Sequence, residues 1–400
     1  MAARARTRRL VAGALLACLL LAAVARGAWF ALCAYYFNAL TPKVLPPLEP
    51  VRGLGSPRAS GCAACHGAIA EEWRRSLHGQ AMSDRFFVAE YASEGRIFAC
   101  LRCHAPLWEQ QPTEVTGFAD LGPPRPRQRP NARFDRALHD EGVTCVVCHQ
   151  RGDALVGPLP LDPGAVPHAV TVDPSFGANA LCARCHAAEG FPGAEFQRAI
   201  LPTFEEHREY RARGGRMRCV ECHFPAEERP LTAGTPPRAG RSHRLLGPRD
   251  RAFLQAHLAL DPPRCAALGA RLSCVLGLTN GAGHRLPTAE PGRELALSLE
   301  PKGGGPGGSA HILRRVDRAA LTERPDQDNT LRPGEHRFVE VTAPSGPATL
   351  SVRFCLYEER DPVLALARVP YREVCHTLAA WDVTATGAAS PRELGDSSLR

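Results

Sequence analysis

The unit Cys-x-x-Cys-His occurs five times, at Cys62/Cys65/His66, Cys100/Cys103/His104, Cys145/Cys148/His149, Cys182/Cys185/His186 and Cys219/Cys222/His223. A shuffled chain of this composition would give roughly 0.02 such units. The intervening sequences do not match one another, so this is a motif array and not a solenoid. Two thiols on one turn of backbone reach two attachment points on a single rigid body, and the histidine beside the second thiol lies under its centre. Haem has that shape: each thiol adds across one vinyl group, and the imidazole becomes the proximal iron ligand. Paired zinc clips or disulfides do not explain a histidine after every second cysteine. The motifs therefore predict five c-type haems, with thioether bonds from these ten cysteines and iron held by His66, His104, His149, His186 and His223.

Such an array relaxes what the side chains must do. Aromatic residues make up 6% of the 400 residues, while Gly and Pro contribute 36 each. A chain with so many turns and so few rings has little to pack, and five macrocycles would supply the missing interior. Covalent haem attachment takes place outside the cytoplasm, and residues 1–40 agree. Arg4, Arg6, Arg8 and Arg9 precede an apolar run, Leu10 to Ala25, and an aromatic patch around Trp29, Tyr35 and Phe37 follows Arg26. The segment reads as a signal peptide or as an N-terminal membrane anchor, and either puts the bulk of the chain in the periplasm. The formal charge is +8. Arginine-rich "PPRPRQRPNAR" (123–133) lacks interleaved aromatics, so a solvated surface is expected and nucleic acid is not an expected partner.

Ten histidines lie outside the motifs. Those that meet iron from the far side make it six-coordinate and suited to electron transfer, whereas an open position suits ligand binding or catalysis. Residues 68–80 read as a short helix with Ile69, Trp73 and Leu77 on one stripe and His78 beside it, which makes His78 a distal candidate. His139, in "RALHDEGVTCVVCH", ends a second short helical stretch. His284, in "TNGAGHRLPT", is framed by Gly281, Gly283 and Pro287. His243 follows a Pro/Gly-rich loop. His168, in "AVPHAV", competes with His207 and His257 for the fifth place. His311, His336 and His376 sit in strand-like sequence and read as structural. With three methionines, Met1, Met82 and Met217, Met/His ligation is at most minor.

The stretch "CAACHGAIAEEWRRSLHGQAM" resembles the motif-Trp-Ser-His-Ala pattern of multihaem c-type cytochromes of the nitrifier tetrahaem type, the cytochrome c-554-like family. "HDEGVTCVVCH" resembles that family's second hallmark. "RMRCVECHFP" with "RSHRLLG", and "NGAGHRLPT", are similar to its later segments, so the likeness spans roughly 58–300. It implies that His243 and His284 are distal ligands. The chain departs from the pattern at Phe224 (usually Met), at Ala289 (often Gly) and at His207 (usually Trp).

From about residue 270 the pattern changes. Leu295, Leu297 and Leu299 share one face, as do Leu350, Val352, Phe354 and Leu356. This predicts an antiparallel β-sandwich, with Cys265, Cys274, Cys355 and Cys375 as one or two disulfides or as buried thiols. The expected fold class is α+β: residues 41–265 a short-helical, haem-packed domain with Pro/Gly/Arg-rich loops at 120–135 and 226–250, residues 266–385 the sandwich, and 386–400 a disordered tail. Two functions follow. One is single-electron transfer between a membrane or periplasmic donor, such as a quinol-oxidising membrane complex or another cytochrome, and a redox partner. The other is a haem oxidoreductase acting on a small nitrogen or sulfur compound at a five-coordinate iron.

Overall fold

The computed structural model describes residues 2–40, 44–96, 98–119, 125–160, 166–187, 202–317 and 322–395. Helix α1 (Ala2–Leu40) is followed by the short helices α2 (Ala59–Ala63), α3 (Gly67–Arg75), α4 (Arg85–Ser93) and α5 (Phe98–His104). Then come α6 (Arg136–Asp140), α7 (Cys145–His149), α8 (Asn179–His186), α9 (Thr203–Ala212), α10 (Cys219–His223) and α11 (Arg251–His257). Aspartates set several starts: Asp84, Asp135 and Asp250 each accept hydrogen bonds from backbone N–H groups of α4, α6 and α11, satisfying donors that a helix leaves open. Within α1, Leu10–Leu32 has a mean hydropathy of 2.2 and is long and apolar enough to cross a membrane.

Three small sheets interrupt the helices. β1 (Thr113–Ala119) pairs β2 (Arg125–Pro130); β3 (Gln150–Arg151), β4 (Ala154–Gly157) and β5 (Val170–Val172) form a second sheet; β6 (Ala226–Pro230) pairs β7 (Pro237–Arg241). The two Pro/Arg-rich stretches expected to be loops are thus partly antiparallel ribbons, though 120–124 lie outside the described residues. In a two-stranded ribbon every strand is an edge, so proline's missing N–H costs no ladder bond when it faces outward. Pro230 and Pro237 pair at the turn end of their ribbon.

The expected sandwich is present. One sheet joins β8 (Leu258–Leu260), β9 (Arg264–Leu268), β10 (Arg271–Asn280) and β14 (His336–Pro344). The other runs β13 (Thr322–Asp328), β12 (Gly308–Asp317), β11 (Glu294–Pro301), β15 (Ala348–Cys355), β16 (Cys375–Val383) and β17 (Ala389–Pro391), with helix α12 (Pro362–Ala367) after β15. Leu295, Leu297, Leu299, Leu350, Val352, Phe354 and Leu356 are all buried in one cluster with Leu272, Leu276 and Leu278. Each full burial of such a side chain is worth roughly 1.5–3 kcal/mol. The helical region has no comparable cluster among the described residues: Leu107, Leu138 and Val146 form a small one. That contrast is what a haem-filled interior requires.

Cys265 bonds Cys274 and Cys355 bonds Cys375, and each pair lies directly opposite in register, on β9–β10 and β15–β16. Of the pairings left open by the sequence, these join neighbours. The Cys355–Cys375 bridge closes a loop of separation 20. Replacing both cysteines by alanine is expected to lower stability by about 3 kcal/mol; a denaturation midpoint that does not move would contradict this. The end of the chain also differs from expectation. Thr384 N donates to Ala388 O in a turn with Gly387 at φ 95°, and this returns Ala389–Pro391 onto β16 as an edge strand. Residues 396–400 lie outside the described residues.

Candidate metal centres

All five motifs sit on or at the end of a short helix, α2, α5, α7, α8 and α10. The thiols come together between motifs. The Cys62 thiol lies beside Cys145, Cys103 beside Cys185, and Cys182 beside Cys219. Motif helix α8 touches both α5 and α10. The fourth motif is therefore flanked by the second and the fifth, while the first neighbours the third.

Four histidines from outside the motifs stand opposite a motif histidine. Ring centroids are 6.5 Å apart for His66 and His168, and 6.2 Å apart for His78 and His186, for His149 and His243, and for His223 and His284. An imidazole nitrogen binds a metal at about 2.0–2.1 Å and lies about 1.1 Å from its ring centre, so two imidazoles gripping one ion have centroids about 6.3 Å apart. Direct ring stacking would bring them closer. The gap fits one iron atom and the thickness of one macrocycle.

The nitrogens are prepared for this. Nδ1 of His66, His104, His149 and His223 donates to the carbonyls of Leu231, Ala81, Val156 and Leu246. Among the distal histidines, His243 and His284 donate to Arg241 and Arg285. A carbonyl only accepts, so Nδ1 carries the proton and Nε2 is left with its lone pair. Burial pushes the pKa of His78 down to about 3 and those of His149, His186 and His284 to about 4. Neutral imidazole is the form a metal needs. The paired imidazole spacing fits a haem iron; among the described residues no group of three or more His, Cys, Asp or Glu side chains clusters as a zinc site would require.

Local structure explains why these histidines stand where they do. Helix α3 ends at Arg75, earlier than expected, because Ser76 turns extended and its hydroxyl donates to Trp73 O. His78 thus sits in the turn after the helix. Trp73 Nε1 donates to Val143 O and Val143 N donates to His78 O, stitching this turn to the approach of the third motif. Gly142, at φ 67°, lies so close that a Cβ there would come 2.9 Å from His78 O, which only glycine avoids. His284 lies in the loop between β10 and β11. Buried Asn280 donates to His284 O and Leu331 O and accepts from Ala282 N. Ala289, at φ 63°, occupies a left-handed position that favours glycine. Phe224 sets its edge against His243 at 6.0 Å.

The fold places the histidines predicted at 78, 168, 243 and 284 opposite motif rings. It does not do so for His139, whose Nδ1 donates to Gln110 O and whose described ring contact is Phe134, at 5.6 Å. Among the described ring contacts, His104 stacks on Phe87 at 3.7 Å and faces no second imidazole. Neither rival for the fifth place meets a motif ring at such a distance. Both ring nitrogens of His207 are hydrogen-bonded, and His257 donates Nδ1 to Phe253 O. His311 pairs with Glu294 and His336 with Asp261 in the sandwich.

Residues 61–121 match the family model described as cytochrome c554 and c-prime. Over that segment the chain is similar to multihaem c-type cytochromes. Its fold is similar to that of a penta-haem cytochrome c552 from Thermochromatium tepidum, with a TM-score of 0.56 and 19% identity over 83% of this chain and 97% of that one. No curated protein matches the sequence. In this chain the departures at Phe224 and Ala289 fall against or near a distal candidate, while His207 takes a place of its own.

Proposed function

We propose that this chain carries five c-type haems, one at each motif, and transfers single electrons between a membrane or periplasmic donor and a redox partner. The observation that carries this reading is the set of four imidazole pairs at 6.2–6.5 Å, a geometry suited to bis-histidine iron. Bound there, each haem supplies a one-electron iron centre whose potential the axial ligands and burial set. The chain's own work is to hold the imidazoles neutral, exclude water and keep the attachment sites adjacent. The thiol contacts bring the fourth site beside the second and fifth and the third beside the first, which suits a carrier more than isolated centres. Residues 41 to about 257 form the haem-bearing unit, and the sandwich, which runs from β8 to β17 rather than over the expected 266–385, contributes His284. The apolar helix at residues 10–32 supports export and a periplasmic location, as a cleaved signal or as an inner-membrane anchor.

His104 supports a second reading. With no described imidazole opposite it, the second iron would keep an open position unless His139 reaches it, and a small nitrogen or sulfur compound would react there. Electron paramagnetic resonance of the oxidised protein tests both. Low-spin signals from all five irons, with no rapid cyanide binding, are expected of a pure carrier. One high-spin iron that binds cyanide quickly would favour catalysis at the second motif.

A further inference from the structure

The three hydrogen bonds around His207 form a connected path. Its Nδ1 lies 2.9 Å from Gly283 O, so Nδ1 must donate. Its Nε2 then has a bare lone pair and accepts from Asn179 Nδ2 at 2.8 Å. Asn179 Oδ1 in turn accepts from Cys219 N at 3.0 Å. The amide orientation is fixed, because a backbone N–H can donate only to the oxygen. One end of this path is the residue before His284. The other end is the first cysteine of the motif whose histidine, His223, lies across from His284 at 6.2 Å with the rings within 17° of parallel. His207 is itself buried and has no nitrogen to spare for a metal. Helix α9 reinforces the same loop: the Glu206 carboxylate accepts from Arg285 N at 3.2 Å and also from the Thr288 hydroxyl.

We propose that His207 is a positioning residue that locks the His284 loop to the Cys219–His223 motif and so governs how firmly the fifth iron keeps its distal imidazole. This rests on the haem reading above. The fold would survive without the path, since Asn280 and Glu206 also hold the loop. What the path adds is a direct tie between the two segments that bring the rings together.

The experiment uses the full haem-loaded chain. Intact mass and the pyridine haemochrome first count the haems, and an unsubstituted protein without haem would sink the haem reading, not this one. Cyanide displacement is then followed by stopped-flow absorbance, with His284→Ala marking which phase belongs to the fifth iron. Cyanide reaches a six-coordinate iron only when its imidazole lets go. Losing a hydrogen bond of ordinary strength should therefore speed that phase by up to about tenfold. His207→Leu and Asn179→Ala are each expected to do so, the double variant no more than either alone, and His207→Gln, which can still donate and accept, is expected to restore the slow rate. Should His207→Leu not assemble, Asn179→Ala, a change at the half-buried start of α8, decides alone. Five haems with an unchanged fifth-iron phase in Asn179→Ala would overturn the proposal.

Discussion

Replacing Cys182 and Cys185 together by alanine is expected to cost the protein more than the one haem proposed for those thiols. Helix α8 lies between two other motif helices, its cysteines touch Cys103 and Cys219, and Asn179 at its start accepts from Cys219 N. His186 completes the pair with His78, and the turn bearing His78 is stitched to residue 143 ahead of the third motif. An empty fourth site would leave a void far larger than the single side-chain cavities that cost roughly 2–5 kcal/mol. Among the described residues the helical region offers only the small apolar cluster of Leu107, Leu138 and Val146 to close over it. The double variant should therefore accumulate poorly and carry fewer than four haems by intact mass. The matching change at Cys62 and Cys65, where contact is with the third motif alone among the described thiol pairs, should lose one haem and remain soluble. A stable four-haem protein from both variants would contradict this view of the interior.

His284→Ala should change the fifth centre and spare the rest. The residue is half-buried, desolvation holds its pKa down to about 4, and its Nδ1 donates to Arg285 O. Removing it takes away one side of a pair that faces His223 nearly parallel. One iron should convert from low-spin to high-spin and bind cyanide at least tenfold faster, because no protein ligand need leave first. The sandwich should unfold nearly as before, since its core is built mainly from strand side chains and the loop's own contribution, Leu286, stays in place. His311→Ala, which loses side-chain contacts to Glu294 and Ser309 within the sandwich, serves as the control with no spectral change. An unaltered spectrum in His284→Ala would separate the sandwich from haem ligation altogether.

Much of this was legible in the sequence because the relevant signals are local. Each Cys-x-x-Cys-His unit is five consecutive residues, and the alternation in 295–299 and 350–356 reports which face is buried. Local reading failed where a single side chain ended an element. Ser76 stops α3 before His78, and Gly387 folds the tail back onto β16. Prolines that read as loop signals lie in two-stranded ribbons, where an edge tolerates them. Which distal histidine meets which motif could not be read along the chain. His78 faces the fourth motif and His168 the first, and these pairings depend on how the helices stack around groups that are not residues. The proposed role of His207 was hidden for the same reason, since its partners Asn179 and Gly283, and Cys219 that Asn179 holds in turn, come from three separate segments. Its departure from the family pattern was the available signal.

The account stands on covalent haem at every motif. Intact mass spectrometry of the exported protein, produced in a host able to mature c-type cytochromes, tests this most directly. The polypeptide should carry five haem masses that survive denaturation and acid extraction. A colourless product with the mass of bare polypeptide, from a host that loads other c-type cytochromes normally, would contradict it.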